Sequence, residues 1–369
     1  MPVRIPEFED AKRDYKSVKY FPFEIDPGDP FALTSDPWHY LKAWLNKQIL
    51  EIKKTTNHRK KLEKALYFAK LAESFQKAAD LIDLPTKGTL IYYSVLNLVK
   101  TFLLTKDYDL ENTIEFHGLT LPSDKKTELK ISSGSNGAGI NIFYEFAKEI
   151  GCPVQAGSSI TLDDMVGEIV EVHEMCFNLG KLVSNKRKFL PIEIRILTNK
   201  PRRNKLTYEI LFEKKNSNLM RTDRFETGIL RSKLEKQADD EKRKDCKIYH
   251  AKLQLNYTKT SNISWRNNYR TICKEIEDLN VVTMLTRNGY RYYLNLQPPK
   301  YKSSVYFYAL MYYIGSVARY RPTLNAEILE GDYSAIFNEV MNTCPKQFLY
   351  FMVSKITKKV CAVPMAKID

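Results

Sequence analysis

Apolar positions over residues 37–105 recur every three or four residues, the period of helices that turn one face inward. Trp38, Leu41, Trp44, Leu45 and Ile49 share one such face, and Asp36-Pro37 ahead of them supplies an N-cap and a first-turn proline. Leu62, Ala65, Leu66, Ala69, Ala72 and Phe75 form the next stripe, with charges opposite, and a third helix is expected over residues 87–105. Further helices are expected over 140–150 and 162–179; the second places Met165, Ile169, Val172, Cys176 and Leu179 inward and Asp164, Glu168 and Glu171 on a solvated face. Near Pro191 the period changes to two. IEIRIL and LTYEILFE alternate around the loop 198–205, which predicts a hairpin with a basic tip. Residues 248–257 also alternate, and 281–286 faces 290–296 across Arg287-Asn288-Gly289, a strong hairpin signal. From residue 303 the helical period returns, first in SSVYFYALMYYIGSVARY and then around 325–340 and 345–360.

These changes of period divide the chain into four parts and predict an α+β, mainly α protein. Residues 1–36, dense in proline and aromatics, read as an irregular arm, and 37–185 as a helical lobe whose first three helices, over 37–105, pack without sheet. Residues 186–300 form an inserted antiparallel β region with a charged linker over 221–243, and 301–369 supply helices that pack back on the lobe.

Composition narrows the function classes. A hydrophobic fraction of 43% with 12% aromatics excludes a largely disordered chain, since that much apolar surface offsets chain entropy. The excess of 58 Lys+Arg over 44 Asp+Glu attracts polyanions, nucleic acid first among them, or serves only as a solvated surface. Six cysteines without a CxxC pair or a nearby histidine signal neither zinc nor a disulfide framework, and fit a reducing cytosol. The opening residues lack an apolar signal core, and the stretch 305–318 is too short for a membrane span, so a cytoplasmic protein that does not engage membranes is expected.

Several stretches, taken in order, resemble the YaaC-like family of bacterial proteins. They are IYYSVLNLVKTFLL (91–104), FHGL (116–119), the Gly-bearing turn into an aromatic helix at 136–146, SITLDDMVGEIVEVHEM (159–175) and YYIGSVARYRP (312–322). The resemblance runs from about residue 30 to the end and is weakest over the basic hairpin. YYxxxNLxK, within the first stretch, also resembles helices of the HEPN superfamily, small helical domains that include ribonucleases and nucleotide-binding proteins. The resemblance implies a HEPN-like helical body with an inserted small antiparallel β-sheet, and an association with bacterial stress and antiphage defence. It carries over no activity residue by residue.

Candidate residues fall into three groups. A HEPN ribonuclease sets an Arg and a His on one helix with four to six residues between them, the Arg to stabilise phosphate charge and the imidazole for proton transfer or for orienting the 2′-hydroxyl. Only Arg243 and His250 have that spacing, and they lie in the charged run and an expected strand. Arg319 and Arg321 flank Tyr320 at a helix end, where they either grip an anion or satisfy helix carbonyls. With His117 they are the candidates for catalysis from separate segments. Tyr93, Asn97 and Lys100 form a polar stripe on an apolar helix, either a hydrogen-bond network or, with Arg319, a pocket. Lys200, Arg202, Arg203 and Lys205 at the hairpin tip, with Lys214 and Lys215 beyond it, are the expected nucleic-acid footprint, contacting phosphates without reading sequence. The loop 132–139 lacks the GK[ST] ending of a phosphate loop, and no Glu-x-x-His occurs because Val170 stands three before His173, so no metal and no cofactor is expected. The leading expectation is a non-catalytic protein that binds nucleic acid or an acidic protein partner, within a homo-oligomer or hetero-complex. The alternative is a metal-independent ribonuclease.

Overall fold

The computed structural model describes residues 8–13, 16–21, 31–53, 56–110, 112–132, 139–181, 187–200, 202–216, 229–237, 244–258, 261–286, 288–297 and 299–364. Helix makes up about 52% of the described residues and strand 23%, so the fold is α+β with helix predominant. The chain divides into a helical unit, Phe31–Lys186 with Lys300–Pro364, and a sheet unit built on Arg187–Pro299 with the described residues of Met1–Pro30.

At the centre of the helical unit the helix Leu84–Thr105 runs beside Ser303–Tyr320, and both are apolar on nearly all sides because both are surrounded. Their close approach is set by two glycines. A Cβ on Gly88 would stand 2.3 Å from Ile314 Cγ2, and one on Gly315 would stand 2.7 Å from Tyr92 Cβ. Around this pair pack Pro37–Glu51, Asn57–Ala79, Pro322–Glu330 and Ser334–Thr357. The first starts as its sequence predicts, with Asp36 Oδ1 accepting from His39 N at 2.9 Å. The long uncharged stretch 305–318 is thus a core helix, and no helix among the described residues is long and apolar enough to cross a membrane.

Several local expectations need correction. The described residues of 37–105 carry no strand, as expected, but the helical unit carries short strands elsewhere: Phe31–Leu33 pairs with Val360–Ala362, Ile114–Phe116 with Gly139–Asn141, and Glu128–Ile131 lies between Leu119–Thr120 and Ser159–Thr161. Strands of two to four residues are too short to show alternation. The helix expected over 162–179 is two helices, Leu162–Gly167 and Val170–Asn178. The segment expected over 325–340 is divided between Pro322–Glu330 and Ser334–Thr357, and the one expected from Pro345 continues the latter helix, which carries the proline inside it. The N-terminal arm is partly strand, since Phe8–Asp10 pairs antiparallel with Phe189–Asn199.

The solvated acidic face also resolves differently. Asp164 closes a capping box with Thr161. The Glu171 carboxyl turns toward Cys344 on the helix Ser334–Thr357, and burial pushes it from 4.5 up to about 7. The folded protein therefore holds a proton that the unfolded chain releases near pH 4.5, so this group favours folding at acid pH and loses that contribution as pH rises from 4.5 to 7. Glu171→Gln is expected to flatten that slope and to be about 1–2 kcal/mol more stable than the parent at pH 8, less than the full linkage because the residue keeps some solvent contact. Denaturant melts of both proteins at pH 5 and pH 8 check this, and equal differences at the two pH values would refute it.

In the sheet unit the strands run Leu234–Lys236, Cys246–Ala251, Lys205–Glu213, Phe189–Asn199, Gly289–Asn295 and Val281–Thr286, all antiparallel. Leu255–Asn256 adds to the start of Lys205–Glu213. Ile194, Ile196, Tyr208, Ile210 and Tyr249 pack under the helix Asn262–Asp278 through Tyr269, Ile272 and Ile276. On the opposite face Arg195, Glu209, His250 and Glu235 stand in register across four strands. Arg195 bridges Asp10 (2.6 Å) and Glu209 (2.5 Å).

Candidate functional site

The basic hairpin is a built turn. Asn199 Oδ1 accepts from the backbone N–H groups of Asn204 (3.0 Å) and Lys205 (2.7 Å), and Arg203 N donates to Asn199 O at 2.9 Å with Arg203 at φ 48°. Two of its cations are covered by one acid. Glu9, on the N-terminal strand, accepts from Arg203 Nε and lies 3.8 Å from Lys200 Nζ. Lys205 Nζ donates to Gln254 Oε1 at 3.4 Å. Lys214 and Lys215 lie past the far end of Lys205–Glu213, about 30 Å along the strand from the tip, and Lys215 pairs with Glu213 at 2.5 Å. The expected six-residue footprint is two separate groups, and only Lys200, Arg202 and Arg203 share the tip.

The helical unit, in contrast, draws distant residues together. Arg319 lies one turn after Gly315, whose carbonyl accepts from its Nε at 3.0 Å. Because Gly315 lets the helix Leu84–Thr105 come close, Tyr92 and Tyr93 reach the guanidinium. Nη1 donates to the Tyr93 hydroxyl at 2.6 Å, and Cζ lies 5.3, 5.1 and 4.9 Å from the ring centres of Tyr92, Tyr93 and Tyr320. Phase and position of Tyr93 are fixed from behind by Phe75, stacked at 5.3 Å. On the other side of Tyr92, its hydroxyl shares a 2.6 Å hydrogen bond with His117 Nδ1, and the imidazole lies 6.1 Å from the Tyr312 ring. Gly118, at φ 84°, makes the turn that projects His117, and a Cβ there would stand 1.8 Å from Asn141 Oδ1.

The other sequence candidates take structural roles beside this cluster. Arg321 points away, donating to the carbonyls of Lys125 and Pro122, each at 2.5 Å. Asn97 is buried and gives its amide to Tyr93 O at 2.7 Å, and Lys100 pairs with Glu115 at 2.6 Å. Of the polar stripe, then, Tyr93 alone meets Arg319. His250 lies in the strand Cys246–Ala251, while Arg243 and residues 133–138 of the glycine loop lie outside the described residues. No cluster of three metal-ligating side chains occurs among the described residues. Sequence reasoning missed Tyr312 and Phe75 as wall residues; the spacing of Tyr312 and Arg319, seven apart on one helix, was the available signal.

Among the described residues no carboxylate pairs with Arg319, and its Nη2 has no hydrogen-bond partner. Tyrosine rings compensate the half-buried charge in place of an acid. Partial burial, then the positive charges of Arg319 and Lys100, hold the His117 imidazole below its ordinary value, with Glu115 opposing. Tyr320 is 74% exposed, which leaves its ring open for stacking beside an uncommitted guanidinium edge. Such an arrangement accepts a planar group on the ring and an anionic oxygen at Nη2.

A mainly helical body with an inserted antiparallel sheet and an acid-free arginine–tyrosine cluster thus defines the class. A family model described as YaaC-like Protein matches residues 31–356, most of the chain. The chain belongs to the YaaC-like family. No curated protein and no solved structure matches it.

Proposed function

We propose that this protein binds single-stranded nucleic acid, RNA in the first instance, at the Arg319 cluster without cutting it. The observation that carries the reading is a half-buried arginine lacking an acidic counter-charge, with an exposed tyrosine beside it: phosphate oxygen meets Nη2 while an unpaired base stacks on Tyr320. Contact of this kind is tolerant of sequence. The net charge of +14 favours the encounter over the whole surface.

Anisotropy of labelled oligo(U) RNA, at low and moderate salt with EDTA, tests the reading. Tyr320→Ala is expected to weaken binding roughly tenfold, the worth of one stacked base. Equal affinity of the parent and Tyr320→Ala removes the stacking role.

One observation favours a second reading. His117 stands across Tyr92 from Arg319, its pKa held down by burial and the neighbouring cations, which is the equipment for metal-independent phosphodiester cleavage with the Arg and His drawn from separate segments. Cutting of the RNA in EDTA that disappears in His117→Ala would replace the binding reading with this one.

A further inference from the structure

The sheet unit carries a second feature that the Arg319 cluster does not use. The strand Phe8–Asp10 lies in register along the end of Phe189–Asn199, Phe8 opposite Asn199 and Glu9 opposite Thr198, so that it runs up to the hairpin tip. Its two acids both meet arginines: Asp10 accepts from Arg195 Nε at 2.9 Å, and Glu9 accepts from Arg203. The Phe8 ring packs at 4.6 Å from the His250 ring, and Ala11 N donates to Ile196 O at 2.9 Å, which together anchor the strand on both sides of Glu9.

We propose that Glu9 is an internal stand-in for a phosphate, covering the cationic hairpin tip in the free protein, and that a nucleic-acid backbone binds Lys200, Arg202 and Arg203 by displacing that carboxylate. Three observations support an exchangeable cover. The tip cations remain accessible while covered, with 44% of the Lys200 side chain and 61% of the Arg203 side chain exposed. Arg202 is exposed and meets no carboxylate among the described residues. The turn that holds the three is itself fixed by Asn199, so the cations keep their arrangement when Glu9 leaves. Exposed ion pairs are screened and weak, and a strand of phosphates brings several charges at once where Glu9 brings one.

The inference does not rest on the Arg319 cluster, and its test is made in an Arg319→Ala background so that the two succeed or fail separately. Binding of labelled oligo(U) RNA is measured by anisotropy as a function of salt for Arg319→Ala with and without Glu9→Gln. Glu9→Gln is expected to tighten binding roughly 3- to 10-fold. The slope of the logarithmic salt dependence should stay close to that without Glu9→Gln, since the same cations meet the strand in both proteins. Adding Arg203→Ala should abolish the gain, which excludes a general charge effect. Unchanged or weaker binding on Glu9→Gln overturns the proposal, as does a gain that survives Arg203→Ala. Polyglutamate competing as well as RNA for the Glu9→Gln protein would overturn the choice of phosphate in favour of an acidic polypeptide.

Discussion

Replacing Gly315 with alanine is expected to destabilise the helical unit by about 2 kcal/mol, although alanine is the better helix former by about 1 kcal/mol. The added methyl would meet Tyr92 at Cβ (2.7 Å) and Cγ (3.0 Å), atoms that cannot move without moving the helix Leu84–Thr105. The two central helices must therefore separate, and contacts along both are loosened together. In a unit of this size the change corresponds to roughly 4–8 °C in Tm. Gly88→Ala offers the comparison. Its methyl would meet the Ile314 Cγ2 branch while the nearest backbone atom of that residue stays 3.6 Å away, so a more local adjustment relieves it and a smaller loss is expected. Denaturant midpoints that rank Gly88→Ala below Gly315→Ala in stability would refute this account of the helix crossing.

Arg319 carries the largest expected effect on binding. Removing it in Arg319→Ala deletes the charge and the open Nη2, and a hydrogen bond from a cation to phosphate is worth about 1.5–3 kcal/mol, so oligo(U) affinity should fall between roughly 10- and 100-fold. Arg319→Lys is the more discriminating variant. A lysine restores the charge but not the planar group that lies among Tyr92, Tyr93 and Tyr320 or the donor to Tyr93. It is expected to recover less than half of the lost binding free energy while melting close to the parent. Full recovery by lysine would reduce the cluster to a simple positive charge, and parental affinity in Arg319→Ala would place the RNA contact elsewhere.

Long elements were legible in the chain and short or distant relations were not. Residues 37–51 and 84–105 show their helices because a buried face of several turns repeats often enough to be read, and the 281–295 hairpin announces itself through Asn288-Gly289. The helix Asn262–Asp278 was missed although Trp265, Tyr269, Ile272 and Ile276 keep helical spacing, since strands on both sides suggested more sheet. Within the site, Arg319 and His117 were each visible as candidates. Their pairing, and the packing of Tyr93 beside Arg319, were expected as alternatives; the helix crossing that realises them was not legible, because it is set by Gly315, and a glycine among apolar residues gives no sign of which neighbour it admits. Glu9 as the partner of Arg203 lay equally out of reach, joining residues 194 positions apart.

The split of the helical unit around the sheet unit bears on how the chain is made. Leu84–Thr105 leaves the ribosome well before its neighbour Ser303–Tyr320, with the 197 residues from 106 to 302, the inserted sheet unit among them, translated between them. At the usual elongation rate of about 5–20 residues per second, that interval lasts roughly 10–39 s. For that time Leu84–Thr105 has Asn57–Ala79 on one side, but the face that meets Ser303–Tyr320 has no permanent partner. Nascent chains are accordingly expected to recruit holdase chaperones during that window, and slowing translation within the inserted segment should lower the soluble yield more than slowing it after residue 320.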